Sequence, residues 1–177
     1  MEEKEYLMLR EEINKIYDII EKTRNLLYVG VAAIFTCSFS LENSVLFLAA
    51  YFVIIPCYLV TVDYQTGMWR IGTYLAVFHE GESKNFNWER RTFVFHNKMK
   101  NKYVGSYNSP YILASFFSSF LYIVLSDQKS YFWLFISIVA LIIFNIYIYK
   151  QGNPQKIKET FIEKWKMIKN DPDFWPY

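Results

Sequence analysis

The sequence predicts an all-α integral membrane protein whose four transmembrane helices form two hairpins, with cytoplasmic helical extensions. Two observations predict this fold: four long stretches carry no formal charge, and the charges between them are sorted by position. The charge-free stretches are residues 25–41, 43–62, 103–126 and 130–149. Because about 20 apolar helical residues cross a bilayer core, each stretch is long enough, the first only just. The alternative is a soluble bundle with four unusually apolar helices.

The basic residues are confined to one side of the predicted membrane. Mean hydropathy is only +0.07, but of the 19 Lys and Arg, five precede the first stretch, seven lie in the central segment and six follow the last. Lys129 is the exception. By the positive-inside rule both termini and the central segment are cytoplasmic, and the connectors at Glu42 and 127–129 lie outside. No cleavable signal is expected, since seven acidic residues precede the first stretch.

Five segments follow from this sorting. They are an N-terminal amphipathic cytoplasmic helix at 1–24, a first transmembrane hairpin at 25–62, a central cytoplasmic helical segment at 63–102, a second hairpin at 103–149, and a basic C-terminal cytoplasmic helix with a tail at 150–177. The first helix is expected to run into the first span as one rod, because no Gly or Pro occurs before Gly30. The second helix is expected to continue into the central segment.

A heptad stripe on the N-terminal helix predicts a packing seam. The spacing of three, four, three, four is that of a coiled coil, and the stripe consists of Tyr6, Leu9, Ile13, Ile16 and Ile20. Two partners stay open. The stripe packs on the chain's own C-terminal helix, or on copies of itself around a symmetry axis beneath a pore.

Hydroxyl side chains share one face of the third span. Ser115, Ser119 and Tyr122 recur at helical spacing. One interpretation is the lining of a water-filled pore, and the other is a close helix contact in which the hydroxyls bond to backbone carbonyls. In the last span the one strong polar group, Asn145, is expected to bond to a neighbouring helix.

The central segment carries cations interleaved with aromatic rings. The predicted ligand-binding set is Trp88, Arg90, Arg91, Lys98, Lys100 and Lys102. Cations suit phosphates and aromatic faces suit bases, as a nucleotide or single-stranded oligonucleotide requires. The same residues also fit the ordinary topology signal and lipid headgroup contacts. The histidines and acids at 79–82 and 96 match no metal or catalytic motif, so no metal, cofactor or enzyme activity is expected.

One juxtamembrane string resembles small bacterial membrane proteins of unknown function. These read approximately R-I-x-x-Y-I-x-V-F-x-E and then N-W-E, and this chain matches at Arg70, Ile71, Tyr74, Val77, Phe78, Glu80, Asn87, Trp88 and Glu89. In size and layout the chain also resembles the transmembrane effectors of bacterial anti-phage defence, with the Hailong-type effector as the nearest family. There a partner nucleotidyltransferase makes an oligonucleotide that controls a membrane channel.

Together these features predict a multi-pass protein of the bacterial inner membrane with both termini cytoplasmic. The expected function is an oligomeric channel, with a tetramer as one candidate assembly, that depolarises the membrane when open. It would be gated on its cytoplasmic face by an anionic nucleotide or oligonucleotide. Oligomerisation is expected because four spans do not easily enclose a water-filled path alone. The alternative is a non-conducting membrane scaffold that recruits a cytoplasmic protein.

Overall fold

The computed structural model describes residues 2–79, 108–126, 131–151 and 154–171, and its regular structure in these ranges is α-helical. The prediction of an all-α protein is therefore confirmed. The helices are α1 Glu2–Ser40, α2 Leu46–Ala49, α3 Tyr51–Phe78, α4 Ser109–Leu125, α5 Tyr131–Gln151 and α6 Pro154–Lys169.

Helix α1 is one uninterrupted rod of 39 residues, as its sequence predicts. It ends in a tight turn in which the Asn43 amide donates to the Ser38 carbonyl and the Glu42 amide to the Phe39 carbonyl. This pair of bonds is the Schellman arrangement, whose turning residue takes a left-handed conformation. Glu42 occupies that position with φ of 50°. The chain thus reverses at the polar connector, although no glycine is present to favour the turn.

The second predicted span begins with the single turn α2. Ala50 joins α2 to α3 with helical backbone angles, and its amide donates to the Phe47 carbonyl. Helix α3 then passes through Pro56 and continues to Phe78. The predicted continuation into the central segment is confirmed. At 1.5 Å per residue, the 33 residues of Leu46–Phe78 measure about 50 Å, more than the ~30 Å bilayer core.

The described helices divide between two compact units. One unit comprises Met1–Ile19, Asp63–Val104 and Asn153–Tyr177, and the other comprises Ile20–Val62 and Gly105–Gly152. We call them the terminal unit and the hairpin unit. The core of the hairpin unit is a cluster of fully or nearly fully buried side chains, namely Leu27, Ala50, Tyr51, Ile54, Cys57, Tyr58, Tyr111, Phe144 and Ile148.

One helix in the described residues is long and apolar enough to cross a membrane by length and composition, Leu46–Phe78. Helix α4 and the apolar part of α5, Leu134–Ile148, are shorter apolar helices. The four predicted spans therefore do not all pass this criterion. The first was already the shortest charge-free stretch, and α4 begins at Ser109, six residues after the predicted start of its span.

Candidate functional site

Helix α4 has the reverse of the polarity expected for a helix in water. Its buried residues are all hydroxyl-bearing: Tyr111, Ser115, Ser118, Ser119 and Tyr122. Its exposed face carries large apolar side chains, among them Phe116 and Phe120, whose rings stack 6.0 Å apart. A soluble helix buries its apolar stripe and exposes polar residues. Lipid reverses that preference, because it solvates phenylalanine and leaves hydroxyls to seek partners inside the bundle.

The buried hydroxyls of α4 bond to the first hairpin. The Tyr51 hydroxyl donates to the Ser115 carbonyl at 3.1 Å and lies 2.9 Å from the Ser119 Oγ. The Ser118 Oγ donates to the carbonyl of Phe47. Phe47 and Tyr51, on either side of Ala50, thus both contact α4. Ser115 and Ser119 of the predicted pore-lining face therefore take part in hydrogen bonds within one chain.

A second polar contact joins α3 to the start of α4. The hydroxyls of Thr61 and Tyr111 are 2.6 Å apart, and both side chains are buried. Tyr122, the third predicted pore-lining residue, is also buried. The placement favours the helix-contact interpretation of this face in a single chain. A role in lining a path between copies stays a prediction.

Asn145 differs from its predicted role. Its amide donates at 2.7 Å to the Leu141 carbonyl, one turn earlier in α5 itself. The expectation of an interhelical bond is therefore not met by this contact. An amide can satisfy its donor on its own helix when the i−4 carbonyl is within reach.

The seam of α1 is buried within the chain. Tyr6, Ile13, Ile16 and Ile20 are buried, and Leu9 is partly buried. In the terminal unit, the Tyr6 ring packs edge-on against His79 at the end of α3, with ring centroids 6.1 Å apart. This contact concerns Tyr6, one residue of the seam, and packing of the stripe on the C-terminal helix stays a prediction. A role of the seam between copies stays a prediction, although residues already buried in one chain offer it little surface.

Tyr74 is the centre of an aromatic cluster in the terminal unit. Its hydroxyl donates to the Glu5 carboxylate at 2.9 Å, and its ring packs edge-on against Trp165 of α6 at 5.3 Å. The Trp165 indole N–H donates to the Arg70 carbonyl. The Lys169 ammonium donates to the Val77 carbonyl near the α3 C-terminus, where a cation is favourable. The end of α3 therefore holds both α1 and α6.

Burial, the hydrogen bond to Glu5 and the charge of Glu5 together raise the pKa of Tyr74 to about 12. His79 adds a second contact to the same acid, with its Nε2 lying 3.8 Å from the Glu5 carboxylate. That nitrogen is buried and has no hydrogen-bond partner among the described residues. Tyr74 and His79 at the end of α3 thus both contact Glu5 of α1 in the terminal unit.

The predicted ligand-binding residues, from Trp88 to Lys102, lie outside the described residues, as do Glu80, Glu82 and His96. Within the described ranges, no three His, Cys, Asp or Glu side chains come together as a metal site. No protein-family model, curated protein or solved structure matches this chain. The proposed function therefore rests on the chain's own residues.

Two residues that organise these contacts, Tyr51 and Trp165, were not predicted from the sequence. Tyr51 lies in a charge-free span and Trp165 in an amphipathic stripe, and neither stands out there from the other apolar side chains. Their partners lie 64 and 95 residues away along the chain. The available signal was chemical: a buried Tyr or Trp needs a partner for its O–H or N–H.

Proposed function

We propose that this chain is a multi-pass protein of the bacterial inner membrane, with four spans in two hairpins and both termini in the cytoplasm. The reversed polarity of α4 carries the proposal. Phe116, Phe117 and Phe120 are each about half exposed, whereas every buried residue of that helix bears a hydroxyl. Hydrocarbon around the hairpin unit accounts for both facts, and the one-sided basic residues supply the orientation.

Within that membrane setting, we propose an oligomeric channel that acts as an effector of anti-phage defence. Several copies would form the path, and an anionic nucleotide or oligonucleotide from a partner nucleotidyltransferase would gate it. The cations and aromatic ring of the central segment, Trp88, Arg90, Arg91, Lys98, Lys100 and Lys102, would contact phosphates and bases. The hydrogen-bonded hydroxyls of α4 fit the closed state of such a channel. Opening would then require two contacts to break, that of Tyr51 with α4 and that of Ser118 with α2.

Ion flux from liposomes tests the channel proposal. Purified protein is reconstituted with a potassium gradient, and flux is recorded with and without a short single-stranded RNA as the probe. We expect the RNA to change the flux in the wild type. The double variant Arg90→Ala, Arg91→Ala should retain flux and lose the response, while Lys164→Ala serves as a control cation on α6. Absence of flux under both conditions contradicts the proposal.

One observation favours a second candidate, a non-conducting scaffold that recruits a cytoplasmic protein. Ser115, Ser118 and Ser119 all have hydrogen-bond partners within the chain. A scaffold uses these hydroxyls for packing alone. It predicts that Ser115→Ala with Ser119→Ala leaves cellular protection intact, whereas polar substitutions in the Tyr6–Ile20 seam abolish it. A channel lined by the hydroxyls predicts altered flux in the serine variant.

A further inference from the structure

The last turns of α6 contact the C-terminal end of α3 within the terminal unit. The Trp165 ring packs edge-on against the rings of Tyr74 and Phe78, with centroids 5.3 Å and 6.1 Å apart. One turn later, the Lys169 ammonium donates to the Val77 carbonyl at 3.2 Å and lies 5.8 Å from the centre of the Phe78 ring. Two side chains of α6 therefore hold the end of α3.

The side chains of α6 are less buried than those of the other two helices in this unit. Each side chain from Ile157 to Lys169 is partly or fully exposed. By contrast, α1 buries Tyr6, Ile13 and Ile16, and α3 buries Leu75 completely. Segments with few buried apolar contacts open locally at a lower free energy than the core around them. We therefore expect α6 to detach while α1 and α3 stay folded.

One hydrogen bond that attaches α6 shares its acceptor with another donor. The Trp165 indole N–H donates to the Arg70 carbonyl at 3.3 Å, and the Thr73 hydroxyl donates to the same oxygen at 3.0 Å. Arg70 lies inside α3, where a carbonyl also accepts the amide four residues later. Three donors exceed the two lone pairs of a carbonyl oxygen. The bond from Trp165 is therefore weaker than an unshared one, as suits a contact that is made and broken.

The helix that α6 holds connects the two regions on which the proposed channel depends. Helix α3 begins at Tyr51, which bonds to α4, and carries Tyr74 near its other end. Ten residues after Phe78 the chain reaches Trp88, the first of the predicted ligand-binding residues. The same structure has α6 attached and the Tyr51 hydroxyl bonded to α4. Attachment of α6 therefore accompanies the arrangement that fits a closed channel.

We propose that α6 is a detachable strap that holds the channel closed. When attached, it fixes the end of α3 through Trp165 and Lys169. When released, it leaves that end free to move, and the contacts of Tyr51 with α4 then break more readily. The inference rests on the proposed channel function and names the element that restrains it.

Hydrogen exchange of the full chain in lipid nanodiscs, followed by mass spectrometry, tests the detachment. Exchange rates, corrected for the intrinsic rate of each sequence, are compared between Phe161–Ile168 of α6 and Ile13–Ile16 of α1. We expect the α6 amides to exchange at least about tenfold faster, the equivalent of ~1.4 kcal/mol. Equal protection of the two segments would overturn the inference.

Two variants should shift the exchange of α6 in opposite directions. Trp165→Ala removes the indole contacts and should speed it at least about tenfold. Thr73→Val keeps the side-chain shape but removes the competing hydroxyl, so it should slow exchange about threefold, the equivalent of ~0.7 kcal/mol. Met167→Ala, at a position that is 71% exposed, is the control and should leave the rate unchanged. Equal rates in Trp165→Ala and Met167→Ala, or faster exchange in Thr73→Val, would contradict the strap.

Potassium flux from liposomes separates the strap from the channel itself. Without RNA, we expect Trp165→Ala to raise the flux at least about fivefold, the equivalent of ~1 kcal/mol, and Met167→Ala to match the wild type. Wild-type flux that stays unchanged in Trp165→Ala, although its α6 exchanges faster, contradicts the strap alone. Absence of flux from the wild type and both variants, with and without RNA, contradicts the proposed channel.

Discussion

Replacement of Gly30 by alanine tests the close approach of α1 to α3 in the first hairpin. A Cβ atom at Gly30 would lie 2.9 Å from the Val53 Cγ1. Ordinary carbon–carbon contacts are about 3.5–4.0 Å, so the helices must separate by roughly 0.6 Å or more. Rotation of Val53 offers little relief, because a β-branched side chain has one strongly preferred rotamer in a helix.

Gly67 provides a matched control for this substitution. A Cβ atom there would have no heavy-atom neighbour within 4 Å. Gly67→Ala should therefore stabilise the protein by about 0.5–1 kcal/mol through helix propensity alone. Gly30→Ala gains the same stabilisation from helix propensity but also carries an overpacking cost of about 1–3 kcal/mol. The difference between the two variants in free energy of unfolding should equal that cost.

Reversible unfolding in mixed micelles with increasing SDS, followed by far-UV circular dichroism, measures both variants. Adding Val53→Ala to Gly30→Ala should recover most of the lost stability, since the two residues are in contact and therefore couple. The reasoning is refuted if Gly30→Ala is stabilised as much as Gly67→Ala. It is also refuted if Val53→Ala has the same effect in both backgrounds.

Three further predictions concern single side chains. Tyr51→Phe should lower the free energy of unfolding by about 1 kcal/mol through loss of its bonds to α4, whereas Tyr28→Phe, on the exposed face of α1, should not; equal effects would contradict it. Burial and Glu5 raise the folded pKa of Tyr74 from its ordinary value of 10.0 to about 12, so its stabilising contribution is complete below pH 10 and is lost between pH 10 and 12. Tyr74→Phe should therefore remove part of the alkaline destabilisation seen by circular dichroism, and an unchanged pH profile would refute this. Trp165→Ala should destabilise α6 by about 2–3 kcal/mol and speed its cleavage in limited proteolysis, while Met167→Ala, 71% exposed, should leave the cleavage rate unchanged; equal cleavage rates would count against it.

The helices were predictable because their signals are local. The length of the charge-free stretches predicted α3 and α5, and the absence of Gly and Pro before Gly30 predicted α1 as one rod. The irregularity at Ala50 was not predictable, since alanine is the best helix former. The neighbouring Phe47 carbonyl accepts a hydrogen bond from Ser118, 71 residues away along the chain.

The candidate sites were less predictable than the helices. Hydroxyl spacing placed Ser115, Ser119 and Tyr122 on one face correctly, because helical periodicity depends only on spacing. What that face meets depends on tertiary packing, and Tyr51 supplies it from the first hairpin. The seam of α1 shows the same limit. Its stripe was visible in the sequence, but the ring contact of Tyr6 with His79 was not.

The most direct test of the membrane account is the accessibility of single cysteines in spheroplasts. Cys37 and Cys57 are first replaced by alanine, and Glu42→Cys or Lys164→Cys is then introduced. An impermeant maleimide should label Glu42→Cys in intact spheroplasts and Lys164→Cys only after the membrane is permeabilised. Labelling of both positions in intact spheroplasts, or of neither, would place the connector and α6 in one compartment and contradict the two-hairpin topology.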